Sequence, residues 1–270
     1  MSEGFTLDKF AQHPFYLEVN RRLVALAALR PGQRVVDLGA GTGAVTSLLI
    51  AAVASRPGAE VIAVEPSESA LEVARRNLEN IRGAVVSFAQ GGAEKLSSLV
   101  RRPADAVFFC NAIHLVKEKA VALSEVSRTL REGGTFSFNT SFYQGAEPPE
   151  AEQFYRRWMM RAMRVLKKRY DLMPDRTKVE ARVRLSEEEY LQLLKDQGFQ
   201  VQKKEVMKVE MSLEAMEDIS EYHLWIEGVL PGVPLEAGSE ALKEGARQAF
   251  AELGLTSSPR NWLLVVASKT

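Results

Sequence analysis

One constellation in the sequence is dense enough to suggest chemistry: VVDLGAGTG at 35–43, with Glu65 closing the run EVIAVE at 60–65. Gly39, Gly41 and Gly43 alternate with Ala40 and Thr42. The backbone can therefore turn sharply and approach a ligand at the start of a helix, where partial positive charge gathers. Asp37 places a carboxylate beside that turn. It would repel a pyrophosphate but suit a ligand with an amine and a sulfonium, and S-adenosylmethionine has both. Glu65 is placed to accept hydrogen bonds from ribose hydroxyls. The glycines alone leave a dinucleotide site open, because Gly39, Gly41 and Ala44 also satisfy G-x-G-x-x-A.

The remaining reactive side chains are sparse. His114 has two readings: an imidazole accepting a proton near neutral pH, or a ring that packs on the cofactor and hydrogen-bonds a loop. His13 and His223 are weaker candidates for a substrate contact. Cys110, the single cysteine, ends the apolar run DAVFFC (105–110) and reads as a buried thiol, not a nucleophile. No His or Cys pair has ligand spacing, so no metal is expected.

Alternating apolar and helical patterns must position these groups. RVVDLG (34–39), EVIAVE (60–65), AVVSFA (84–89), DAVFFC (105–110) and TFSFNT (135–140) read as strands. Helices are expected around Tyr16 to Leu29, from Gly43 to Ser55, from Ser67 to Asn80, and from Lys117 to Leu130 with Gly133 and Gly134 as its stop. Near-continuous apolar strands imply a parallel sheet covered on both faces. A helix at Ser186 to Gln197, strands at Phe199 to Val209 and Trp262 to Ser268, and a helical stretch at Leu213 to Leu253 broken by LPGVP complete the chain. The fold class is α/β: a Rossmann-like, mostly parallel seven-stranded sheet with helices on both faces and a helical insertion after the fifth strand. We divide the single domain into an N-terminal helical segment (1–32), a cofactor-binding core (33–142), a helical cap (143–185) and a C-terminal part (186–270) with a second cap segment near 213–253.

Four segments in order, DLGAGTG (37–43), AVEPSESALEVARRN (63–77), AQGGAEKL (89–96) and DAVFFCNAIHLV (105–116), continued by REGGTFSFNTSF (131–142), resemble the class I S-adenosylmethionine-dependent methyltransferases of the small-molecule type. The resemblance spans roughly residues 33–142. It implies that the glycine loop lies under the methionyl part, that Glu65 binds ribose, and that Pro66 and Ser67 lie along the adenine. Where the family often carries an acid for the adenine amine, this chain has Gly92, which leaves the backbone around Ala93 and the side chain of Glu94 for that contact. Asn111 to His114 would line the boundary between cofactor and substrate, and Tyr16 in HPFYLEVN (13–20) would close over the cofactor. The products would be S-adenosylhomocysteine and a methylated small molecule. In-line methyl transfer needs alignment and exclusion of water, and a base only when the acceptor is protonated.

The insertion EAEQFYRRWMMRAMRVLKKRY (150–170) is amphipathic and basic. It reads as a cationic face over a packing face, or as a lid overhanging the crevice. Tyr143, Tyr155, Trp158, Tyr222 and Trp225 are the expected substrate walls, beside His114. Lys plus Arg and Asp plus Glu balance at 35 each, and Asn111-Ala-Ile-His stands where nucleic-acid and protein methyltransferases of this class carry an Asn-Pro-Pro-Tyr-type tetrapeptide, so no nucleic acid partner is expected. No export signal and no run long enough to span a bilayer is read, so a cytoplasmic protein is expected, with peripheral membrane contact left open through the basic helix. A lipid or prenyl-type acceptor at a membrane surface and a non-catalytic adenosylmethionine-binding regulator are the competing functions. The sequence leaves the oligomeric state open.

Overall fold

The computed structural model describes residues 4–175 and 183–270; residues 176–182 of the expected insertion lie outside them. In chain order the elements are α1 (Asp8–Ala11), α2 (Pro14–Ala27), β1 (Arg34–Leu38), α3 (Ala44–Val53), β2 (Glu60–Glu65), α4 (Glu68–Leu78), β3 (Val85–Gln90), α5 (Leu96–Leu99), β4 (Ala104–Cys110), α6 (Lys119–Thr129) and β5 (Leu130–Thr140). There follow α7 (Pro149–Val165), α8 (Glu187–Asp196), β6 (Phe199–Ser212), α9 (Leu213–Ile219), α10 (His223–Val229), α11 (Leu235–Leu253) and β7 (Ser257–Lys269). Two compact units result: a sheet unit of Leu17–Tyr143, Leu185–Met207 and Trp262–Thr270, and a helical unit of Met1–Tyr16, Gln144–Arg184 and Lys208–Asn261.

The seven strands run in the order β3-β2-β1-β4-β5-β7-β6. β1 pairs in parallel with β2 and β4, β2 with β3 and β4 with β5, whereas β7 is antiparallel to β5. This is the α/β, mostly parallel seven-stranded arrangement read from the sequence. Val35, Val36, Val61, Val107 and Phe108 are fully shielded from water, which is why the inner strands are apolar at consecutive positions. β3 is an edge strand, and its Val85 is 66% exposed. At the opposite edge β6 alternates mostly exposed and less exposed residues, with lysines at 203, 204 and 208 on a side that would otherwise invite pairing.

Several boundaries differ from expectation. The opening helix, α2, begins at Pro14 in its first position, two residues before the expected start, and a short helix that was not expected, α1, precedes it. α6 ends at Thr129, not at Gly133 and Gly134: Leu130 is already extended, with ψ 142°, and the glycines lie inside β5. They serve the irregular start of that strand, where pairing with β4 shifts register between Ala104 and Ala106 and a Cβ on Gly134 would meet the Arg131 carbonyl oxygen at 2.8 Å. β6 and β7 run longer than expected. α8 starts with a reciprocal cap, Ser186 accepting from the Glu189 amide while the Glu189 carboxylate accepts from the Ser186 amide.

In the helical unit α7 ends at Val165 and passes into one π turn, Leu166–Tyr170, closed by Asp171 at φ 51°. Phe154, Trp158 and Ala162 form its buried face. α11 crosses it at Gly245, where a Cβ would lie 2.7 Å from the Ala162 amide nitrogen, so only glycine permits this approach. The basic face of α7 is partly neutralised by α11, since Arg157 and Arg161 both pair with Glu252, at 3.0 and 2.6 Å.

Candidate functional site

β1 and β4 are neighbours although β2 and β3 intervene in sequence, so the chain reverses direction across the sheet between them. The turn after β1 opens at that reversal. Open α/β sheets bind ligands at such a point, outside the carboxyl ends of their strands.

Gly39, Gly41 and Gly43 all have left-handed backbones, with φ of 72°, 52° and 90°. The three positions differ in what surrounds them. A Cβ on Gly39 would lie 3.1 Å from Ala112 Cβ and 3.3 Å from the Phe109 ring, and one on Gly43 3.1 Å from Leu78. At Gly41 a Cβ would meet nothing within 4 Å, so this residue is glycine for its backbone alone. The amides of Gly39 and Ala40 donate to the Val64 carbonyl at 2.8 and 3.1 Å, tying the turn to the end of β2.

Glu65 joins the two loops. Its carboxylate accepts from the Gly41 amide and from the Ser67 amide, each at 3.0 Å. Pro66 follows, with its carbonyl accepting from Gln90 at 3.3 Å, and Ser67 caps α4 by accepting from the Ala70 amide at 3.3 Å. Past β3, Gly92 is extended and caps a short 3-10 turn that starts at the buried Ala93. A Cβ on Gly92 would lie 2.8 Å from a carboxylate oxygen of Glu94. The exposed Glu94 side chain thus occupies space where a side chain at 92 would lie.

Asp37 is buried, 1% exposed. Thr46 Oγ1, on the first turn of α3, donates to its Oδ2 at 2.6 Å, and Oδ1 has no hydrogen-bond partner among the described residues. Burial pushes its carboxyl up to about 7; the Glu65 charge adds to the rise and the Thr46 hydrogen bond opposes it. Cys110 is buried as well, which pushes its thiol well above the usual range and keeps it inert.

A polar network fixes the ends of β4 and β5. Asn111, at φ 49°, donates its amide to both the backbone carbonyl and Oδ1 of Asn139 at 2.9 Å, while its own Oδ1 accepts from the Ser141 amide and hydroxyl at 3.2 Å. Asn139 Nδ2 in turn donates to Asn20 Oδ1 on α2 at 2.8 Å. A left-handed residue that is not glycine costs roughly 1–2 kcal/mol, and these bonds hold it. His114 is 4% exposed, stacks on Phe142 at 4.1 Å between ring centroids, and has Nδ1 3.3 Å from Thr140 Oγ1.

Asp37, the glycines, Ala40, Glu65, Pro66, Ser67, Gly92, Ala93, Glu94, Asn111, His114 and Tyr143 all belong to the sheet unit. Tyr16, Tyr155, Trp158, Tyr222 and Trp225 belong to the helical unit. There Tyr16 packs edge-on to Phe10 at 5.7 Å. Trp158 is fully buried, its Nε1 donating to the Leu242 carbonyl at 2.7 Å, and Tyr222 stands half-buried before α10. Sequence reasoning missed Thr46, Asn139 and Asn20; Thr46 and Asn20 are polar residues set into otherwise apolar helix faces, whereas Asn139 shares its strand face with Thr135 and Ser137.

A doubly wound sheet with an acid-flanked glycine turn at its reversal and a second acid at the end of the next strand is an arrangement in which open α/β sheets hold nucleoside ligands. Its family follows from comparison with known proteins. A methyltransferase-domain family model matches residues 29–209. The chain is 32% identical over 127 residues to the ubiquinone/menaquinone biosynthesis C-methyltransferase of Shewanella frigidimarina, 46% of this chain and 48% of that protein. It is 36% identical over 110 residues to the malonyl-[acyl-carrier protein] O-methyltransferase of Methylococcus capsulatus, 41% of this chain and 38% of that one. The matches thus span about half or less of these curated relatives. In fold it is similar to a Haemonchus contortus phosphoethanolamine N-methyltransferase solved with phosphomonomethylethanolamine and S-adenosylhomocysteine, with a TM-score of 0.58 at 18% identity over 100% of this chain and 57% of that one. The chain belongs to the methyltransferase-domain family, of the class I, S-adenosylmethionine-dependent kind.

Proposed function

We propose that this protein transfers a methyl group from S-adenosylmethionine to a small-molecule acceptor by in-line displacement. The observation that carries this reading is the turn itself: three left-handed glycines above a buried carboxylate, with Glu65 reaching across to Gly41 and Ser67. The residues fit such a nucleoside. Gly41 has open space in place of a side chain, and Asp37 Oδ1 is a buried acceptor whose ionisation a nearby cation would favour. The sulfonium supplies an activated methyl group when the nucleoside is bound. Under this assignment Glu65 exchanges its amide partners for ribose hydroxyls, Pro66 and Ser67 flank the base, and Ala93 with Glu94 meets the adenine edge. The Asn111 network ties the loop after β4 to the end of β5. His114 has a fixed ring orientation and is the assigned base for a protonated acceptor. Acceptor recognition is assigned to Tyr155, Tyr222 and Trp225 of the helical unit; Trp158, fully buried and bonded to the Leu242 carbonyl, was expected to line the acceptor and is a core residue instead.

Calorimetric titration with S-adenosylmethionine and separately with NAD tests the cofactor. Saturable binding of the former alone is expected, followed by release of S-adenosylhomocysteine when an acceptor is added. Binding of NAD alone would remove the basis for methyl transfer.

A second reading, a prenylated quinone-type or other lipid acceptor at a membrane surface, is favoured by the relative named for ubiquinone and menaquinone biosynthesis and by the basic helix α7. Flotation with neutral and anionic vesicles separates the two, since a protein that stays in the soluble fraction with both cannot work that way. No helix among the described residues is long and apolar enough to cross a membrane.

A further inference from the structure

Thr46 sits in the first turn of α3, and it is fully buried. A threonine inside a helix commonly gives its hydroxyl proton to the carbonyl three or four residues back. The next residue does so: Ser47 Oγ donates to the Ala44 carbonyl at 2.7 Å. Thr46 Oγ1 donates instead to Asp37 Oδ2 at 2.6 Å, across the turn that joins β1 to α3. That length is typical of a hydroxyl bonded to an ionised oxygen. A hydroxyl has one proton, so the donor capacity of the Thr46 side chain is committed to this carboxyl.

The surroundings of Asp37 otherwise oppose its ionisation. It pairs across the sheet with Ala63 and Phe108, which carry no charge, and α3 (Ala44–Val53) holds no ionisable residue. The titratable groups that it senses are Glu65, at the end of β2, and Cys110, at the end of β4, and an anion at either disfavours a second one at Asp37. Burial acts in the same direction, whereas the hydroxyl and amide of Thr46 act against it. That amide belongs to the start of a helix, where partial positive charge gathers. Thr46 thus anchors Oδ2, and Oδ1 keeps no hydrogen-bond partner among the described residues. A charge on Oδ1 would be felt over several ångströms in a site shielded from water.

We propose that Thr46 is a positioning residue for the methyl donor: its hydroxyl holds Asp37 so that the carboxyl can ionise when the positive charge of adenosylmethionine arrives. The proposal rests on the adenosylmethionine reading above and adds to it a residue outside the glycine turn. With Oδ2 accepting from Thr46, the proton of the neutral carboxyl sits on Oδ1. Binding releases that proton to solvent, the Thr46 bond persists on the carboxylate, and the new anion offsets the cation.

Thr46→Val nearly keeps the shape and removes the hydroxyl. Its affinity for adenosylmethionine is compared with that of the wild type by calorimetry from pH 6 to pH 9, on the full chain, with circular dichroism as the check on folding. A hydrogen bond to a charged group is worth roughly a factor of ten or more, so the variant should bind about tenfold more weakly at pH 6. The deficit should shrink to about twofold or less at pH 9, where the carboxyl is ionised in both proteins. The ratio of the two affinities cancels the titration of the ligand's own amine. Thr46→Ser restores the hydroxyl and should bind within about threefold of wild type throughout. Thr46→Cys, a weak donor of similar size, should lie between them and carries the comparison if the valine variant does not fold. In an Asp37→Asn background, Thr46→Val should change the affinity by the same factor at every pH. A deficit of equal size from pH 6 to pH 9 in the aspartate protein, or an affinity equal to wild type, overturns the proposal and leaves the cofactor reading intact. A wild type that binds no adenosylmethionine at any pH removes both.

Discussion

Asp37 provides the sharpest quantitative test, because burial moves its carboxyl from 3.8 in the unfolded chain to about 7 in the folded one. The folded state then holds a proton over about three pH units in which the unfolded state has released it. At about 1.4 kcal/mol per unit, folding loses about 4 kcal/mol as pH rises through that window, and nothing further above it. The sign is opposite to that of a salt-bridged carboxylate: the stability is present at acid pH and disappears towards neutrality. Asp37→Asn removes the titration yet keeps an oxygen that can accept from Thr46. The amide nitrogen, set where Oδ1 lacks a partner, adds a constant penalty of about 1–3 kcal/mol that does not depend on pH. Urea unfolding followed by circular dichroism at pH 5, 6, 7 and 8, for both proteins without ligand, isolates the effect. Wild-type stability minus variant stability should fall by about 2 kcal/mol between pH 5 and pH 7 and then level off. If the two units unfold separately, the transition of the sheet unit is the relevant one. A difference that stays flat over pH 5–8, or that changes only below pH 5, would mean that Asp37 ionises like an exposed acid and would refute the assignment of a neutral carboxyl under the glycine turn.

Further outcomes follow from the same geometry. Adenosylmethionine binding at pH 6, measured by calorimetry in buffers of different ionisation enthalpy, should release up to about one proton, and Asp37→Asn should abolish that release. Glu65→Gln leaves one neutral acceptor oxygen where the carboxylate offers two to the ribose hydroxyls, and should weaken adenosylmethionine by roughly 10- to 100-fold in the same titration. Gly39→Ala forces an L side chain into φ 72° and against Ala112, and should lower the melting temperature by roughly 2–8 °C in a thermal scan. Trp158→Ala should cost about 3–5 kcal/mol in denaturant unfolding, because it removes a fully buried ring stacked between Phe154 and Trp225. Trp158→Phe should cost distinctly less.

The amino-acid sequence by itself determined the glycine turn, the acids at 37 and 65, the strand succession and the fold class, because these rest on local rules. A glycine run needs only its own backbone freedom, and a doubly covered strand declares itself by continuous apolar residues. Some endings were misread where two local signals competed. Gly133 and Gly134 resemble a helix stop, but Leu130 had already left the helix because β5 captures the chain beside β4. Tertiary structure alone decided the environments. Thr46 reaches Asp37 only because α3 packs back on β1, and the Asn20–Asn139–Asn111 network joins residues far apart in sequence. Arg260 lies over Tyr155, and Arg157 and Arg161 meet Glu252 instead of presenting an open cationic stripe. Such pairings depend on which faces of distant elements come together, and desolvation depends on everything packed around a group. A carboxylate that looks fully ionised in the sequence therefore holds a proton part of the time near neutral pH only once the whole fold has closed around it.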